Sequence, residues 1–206
     1  MPVKPVKPVK PLKPHARLRC ARRPVVPLTL VAACTLWGCA PTLDWREVRP
    51  PASQLLLLFP CKPSAQQRQV QLAGQPVQLT LHACSAGGQT WGLAVADVAD
   101  PARVAPALAA LSAAAAVNIG VAPPAAAPST APAAAPAAAP FAVRGATPNS
   151  GSQRFLLQGK LPDGKPVTLH TAVFTHGTQV FQASVFGEPS VADTADTFFD
   201  ALRVQP

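Results

Sequence analysis

Tyrosine is absent from the 206 residues, and methionine stands only at position 1, so no second methionine marks a later start. Charged side chains make up 13% of the chain and aromatic ones 5%. Alanine is the largest single share of the 49% hydrophobic content, which therefore overstates the material for a core. Common catalytic motifs are missing too. No G-x-S-x-G elbow presents a nucleophile, no G-x-x-x-x-G-K-[ST] loop cradles phosphates, and no G-x-G-x-x-G binds a dinucleotide. H-x-H and H-E-x-x-H metal patterns and a C-x-x-C pair are absent as well. Length and composition exclude a polytopic membrane protein, a collagen and a coiled coil.

Acidic residues are scarce where basic ones crowd. Residues 1–23 hold 8 of the 18 Lys and Arg and no Asp or Glu. The other 183 residues carry 10 basic and 9 acidic groups, a net +1. A near-neutral body has little field to steer phosphates, and no basic stripe with interleaved aromatics runs through it. Nucleic acid is therefore excluded as a partner despite the pI near 10.0.

The basic start reads PVKPVKPVKPLKP over residues 2–14, with Lys and Pro at a period of three. Proline at that spacing blocks a helix and favours an extended, disordered segment. Leu28–Gly38 follows with 11 uncharged residues. That length suits the apolar region of a signal peptide and is short for a spanning helix. Leu36-Trp37-Gly38-Cys39 resembles a bacterial lipobox, with Trp37 departing from the usual small residue. The resemblance implies a signal peptide over 1–38 and diacylglycerol on the thiol of Cys39. Val31-Ala32-Ala33-Cys34 is the rival, and Cys34 the rival lipidation site. It fits the residue pattern better, but leaves only six residues, Leu28–Ala33, for the apolar region. Lipidation implies a membrane anchor and a periplasm-facing place in the cell envelope, with the outer membrane expected ahead of the inner.

Processing at Cys39 removes Cys20 and Cys34 and leaves Cys61 and Cys84 as an even pair. An oxidising compartment allows them to bridge. Closing that 24-residue loop is worth about 3 kcal/mol. Residues 39–51 read as a lipidated tether, with Trp45 as an anchor on the domain that follows.

Residues 52–206 read as one α+β domain. Leu55–Phe59 is a short apolar strand ended by Pro60. Arg68–Leu72 is a strand before the turn at Gly74. Val77, Leu79, Leu81 and Ala83 alternate with Gln78, Thr80, His82 and Cys84, the period of a half-buried strand. Trp91, Leu93 and Val95 make the next inward face. Asp100-Pro101 opens a helix whose apolar face is Val104, Leu108, Leu111 and Ala115. Residues 121–140 contain six prolines among alanines and read as a disordered, extended insert.

The second half repeats the first. A shift of 90 residues pairs Gly74 with Gly164, Gly87 with Gly177, Trp91 with Phe181, and the caps Asp100 and Ser190. Ser190 begins the final helix, with Asp193 as its capping partner and Val191, Ala195, Phe198, Phe199 and Leu202 on one face. The expectation is an antiparallel sheet of about 5–7 strands with two helices, built from a repeated strand–strand–helix unit around one shared core. This order, together with the Phe198-Phe199-Asp200-Ala201-Leu202 run, resembles the PsbP-like α/β sandwich over roughly residues 52–205. That resemblance implies a partner-binding domain. The whole chain also resembles uncharacterised envelope lipoproteins of alanine-rich proteobacteria.

Chemistry-bearing residues are few. His82 and His170 fall on polar strand faces and His176 in a turn, so all three read as solvated. Asp97 and Asp100 read as a strand end and a cap, and Asp193, Asp196 and Asp200 as a solvated helix face. The sequence thus indicates no catalytic residue, metal or cofactor. The expected function is a non-enzymatic, lipid-anchored envelope protein that binds an envelope protein or glycan. The alternative is a periplasmic, hydrolase-like enzyme with a site assembled from distant residues.

Overall fold

The computed structural model describes residues 42–122, 138–187 and 192–205. Residues 1–38, expected as a signal peptide, and with them Cys34, lie outside the described residues, as do Cys39, most of the Ala/Pro insert, and Ser190 with Val191.

Ten strands and two helices follow one another in an α+β order: β1 Arg46–Val48, β2 Leu55–Phe59, β3 Ser64–Leu72, β4 Gln75–Ala86, β5 Gln89–Asp97, α1 Val104–Asn118, β6 Ala138–Pro140, β7 Gln153–Lys160, β8 Pro166–His176, β9 Gln179–Gly187, α2 Ala192–Asp200 and β10 Arg203–Val204. Seven strands make an antiparallel sheet in the order β3-β4-β5-β9-β8-β7-β6, and β1-β2-β10 make a second, three-stranded sheet. Two-residue turns join β3 to β4, β4 to β5 and β8 to β9, and five residues join β7 to β8. Gly87 and Gly88, both at positive φ (61° and 73°), supply the twist that the β4–β5 hairpin needs. The short three-residue strand β6 sits at the sheet edge and ends in Pro140, where a missing backbone donor costs no ladder bond.

The two faces of the large sheet are covered by different layers. On the first face, Trp91, Leu93, Phe181 and Val185 pack beneath Leu55, Leu57 and Phe59 of β2 and Phe198 and Phe199 of α2. Aromatic edges interlock there: Phe198 lies 5.5 Å from Trp91 and 5.4 Å from Phe59, centroid to centroid. On the second face, Leu108, Leu111 and Ala115 of α1 pack on Phe155, Val173 and Val180. Asp100 caps the 3-10 turn that leads into α1, accepting from the Ala102 N–H. Pro106 falls in the helix's first turn, where its missing N–H breaks no bond.

The 90-residue repeat holds in the strands and fails in the helices. β5 (89–97) maps onto β9 (179–187), and these two strands pair with each other at the centre of the sheet. Yet α1 lies on the second face and α2 on the first. The single shared core is therefore replaced by two layers, because the central strands are buried on both sides. Helix α1 of the first half packs on β8 and β9 of the second.

Two boundaries move. Within the stretch 39–51 expected as a tether, Arg46–Val48 pairs with β2 and Trp45 packs edge-on against Trp91 at 5.6 Å, so these residues belong to the fold. The insert is shorter than 121–140, because Ala138–Pro140 pairs with β7.

Candidate functional site

Alternation along β5 explains where the molecule is open. Trp91, Leu93 and Val95 fill the first face. The residues between them, Gly92, Ala94 and Ala96, are small and point to the second. In an antiparallel pair, opposed residues share a face. Register therefore places Leu79, Leu81 and Ala83 of β4 and Gln182, Ser184 and Phe186 of β9 on that second face as well. Helix α1 lies over β8 and β9 and also meets β3, so Leu72, Val77 and Ala96 are buried with it. The stretch of β4 and β5 around Leu81, Ala83 and Gly92 stays open.

The result is a groove of about 510 Å³, within the range of about 300–1,000 Å³ usual for small-molecule sites. Gly92, Ala94 and Ser184 form its floor. Ala115, Ile119 and Leu161 wall one side, and Arg68, Leu79 and Leu81 the other. Phe186, at 37% exposure, stands over it. A Cβ at Gly92 would meet nothing closer than the His82 carbonyl oxygen at 3.9 Å, so the floor has room for a larger residue.

The polar groups of the groove are mostly occupied with each other. Thr171 Oγ1 donates to the Ala183 carbonyl (3.1 Å), which leaves Ser184 Oγ to donate to Thr171 at 3.0 Å. Ser184 is thus bonded to a hydroxyl and faces no base. Arg68 differs: it lines the groove and makes no ion pair among the described residues.

Of the residues singled out from the sequence, the structure brings together Cys61 and Cys84, which form a disulfide with Cα atoms 6.0 Å apart. The histidines do not converge. His82 opposes Leu93 and His170 opposes Val185, so both sit on the first face, opposite the groove. His176 bonds to Gln54 through Nε2 at 2.9 Å. His82 is not solvated: it is 5% exposed, and its Nε2 has no partner among the described residues. The alternation of β4 put it on a face that looks polar in sequence but is covered by the second layer.

Asp97 and Asp100 each accept a local backbone N–H. The acidic face of α2 is not merely solvated. Asp196 pairs with Arg154 at 2.6 Å, and that guanidinium lies over the Phe199 ring at 4.2 Å. Asp200 is exposed, and the Asp193 side chain lies outside the description. No group of three His, Cys, Asp or Glu among the described residues could hold a metal ion. The glycine-and-lysine run Gly159–Lys165 is the β7–β8 hairpin and leads into Pro166 and a strand, not into a helix N-terminus.

Burial lowers the pKa of His82 from its ordinary value. His170 is lowered too, by burial first and by Arg154 second, with Asp196 opposing. The unfolded chain therefore binds protons that the folded chain refuses. Stability from these groups is complete above about pH 6.5 and falls as the pH drops below it. Urea midpoints should fall between pH 7.5 and pH 5.5, and His82→Leu should lessen the fall. Wild-type stability that holds or rises over that interval would contradict the assignment.

Sequence reasoning missed the groove. Its floor is made of Gly, Ala and Ser, which read as spacers between large residues. The one available signal was that small residues alternate with large ones in β5, where Gly92, Ala94 and Ala96 fall between Trp91, Leu93 and Val95.

No family model matches the chain, and no curated protein matches it.

Proposed function

We propose that the chain is a lipid-anchored cell-envelope protein, non-enzymatic, whose domain binds another envelope component in the open groove of its large sheet. The observation that carries the binding reading is the groove itself. It is apolar-walled, its serine is bonded to a threonine, and His82 and His170 lie on the other side of the sheet. A hydrolase-like site would need a nucleophile and a base in reach of one another. An apolar lining fits an apolar ligand or protein segment better than a glycan. The anchor reading rests on the apolar stretch ending at Gly38-Cys39.

Metabolic labelling with palmitate tests the anchor. Wild type should take up label, and Cys39→Ser should lose it and remain uncut. Labelling that survives Cys39→Ser and disappears with Cys34→Ser would move the site to Cys34. A wild-type chain without label would end the lipoprotein reading.

A further inference from the structure

The groove has a direction. Arg68 opposes Leu79, which opposes Ala96, while Phe186 opposes Thr90. Six residue steps along β5, from Thr90 to Ala96, separate these two levels, so the bed between them runs for about 20 Å. Between the two levels lie Leu81, Ala83, Gly92 and Ala94, with Ile119 and Leu161 along the flank. The cation stands at one end, and the exposed Phe186 ring at the other.

We infer that the groove takes a long-chain fatty acid, its carboxylate on Arg68 and its alkyl chain laid over Gly92 toward Phe186. The inference deepens the binding reading above and rests on it. Charge complementarity selects the head: a guanidinium offers a fork of donors that matches one carboxylate. Arg68 has no competing acid among the described residues. Thr171 accepts from Ser184 and from Gln182, and Thr90 bonds to Ser85 at 3.1 Å, so the hydroxyls of the bed ask for no polar ligand. The alkyl chain is selected by the small floor. Glycine at 92 and alanine at 94 leave a trough between the leucines of β4 and the end of α1.

The test uses the full chain, held in phosphatidylcholine nanodiscs, and a hexadecanoic acid that carries a photoreactive group in its alkyl chain. After illumination, label should concentrate on peptides containing β4, β5 and β9. Gly92→Leu fills the trough and should lower labelling at least tenfold with the melting temperature unchanged. Ala83→Leu repeats the test should Gly92→Leu fail to fold. Arg68→Gln should weaken labelling several-fold. Unlabelled oleate should compete well in wild type and oleyl alcohol poorly. Label spread over the surface, or indifferent to both filling substitutions, would overturn the inference. So would equal competition by the alcohol, or displacement by lysophosphatidylcholine in preference to oleate. The arms separate from those of the anchor. A lipidated chain with no groove label loses only the fatty-acid ligand, and a chain that takes no palmitate loses the anchor while the groove result stands.

Discussion

Trp91→Ala should cost about 3–5 kcal/mol of stability, the range for removing a buried tryptophan or phenylalanine. The large sheet and the layer of β2 and α2 meet on this side chain, which is fully buried. It carries Trp45 of the lead-in on one side and Phe198 of α2 on another, and its Nε1 donates to the Ala86 carbonyl at 3.2 Å. Truncation leaves a cavity that none of these neighbours can fill without moving a strand or a helix. Urea unfolding at pH 7.5 measures the loss, with Leu156→Ala as the control, since Leu156 is exposed on β7, near the sheet's edge. The control should change stability by less than about 0.5 kcal/mol. A Trp91→Ala loss below about 1 kcal/mol would mean that the two layers do not meet there.

Breaking the Cys61–Cys84 bridge should cost about 3 kcal/mol, because the bond closes a loop of 23 intervening steps in the unfolded chain. It also ties the end of β2, in the three-stranded sheet, to β4 in the large one. Denatured, unreduced protein should show no free thiol at these two positions. The double variant Cys61→Ala/Cys84→Ala should unfold at lower urea. Reductant should bring wild type down to the same midpoint and leave the variant where it is. Two reactive thiols in unreduced mature protein, or reductant without effect on wild type, would contradict the bridge.

What was legible in the sequence was whatever depends on neighbours along the chain. Val77, Leu79 and Leu81 alternate, and β4 is there. Asp100-Pro101 announces a helix, and Val104, Leu108, Leu111 and Ala115 are all buried in it. The 90-residue shift was visible because hairpin turns fix the spacing of their glycines. Layering was not legible. Alternation says that a strand has two faces, but not that both are covered, so His82 read as solvated and the cores read as one. Short pairings were lost for the same reason. Arg46–Val48 and Ala138–Pro140 are strands only because β2 and β7 lie beside them. The groove depends on which part of a face α1 leaves open, a choice made by tertiary packing against β8 and β9 rather than by anything in β5 itself.

The anchored-binder account is tested most directly by the intact mass of the protein recovered from fractionated cells. The account predicts a membrane-fraction species that begins at Cys39, carries an acylated glyceryl group on that residue, and is lighter by two hydrogens for the Cys61–Cys84 bond. A soluble species without lipid, or one that keeps residues 1–38, would contradict it.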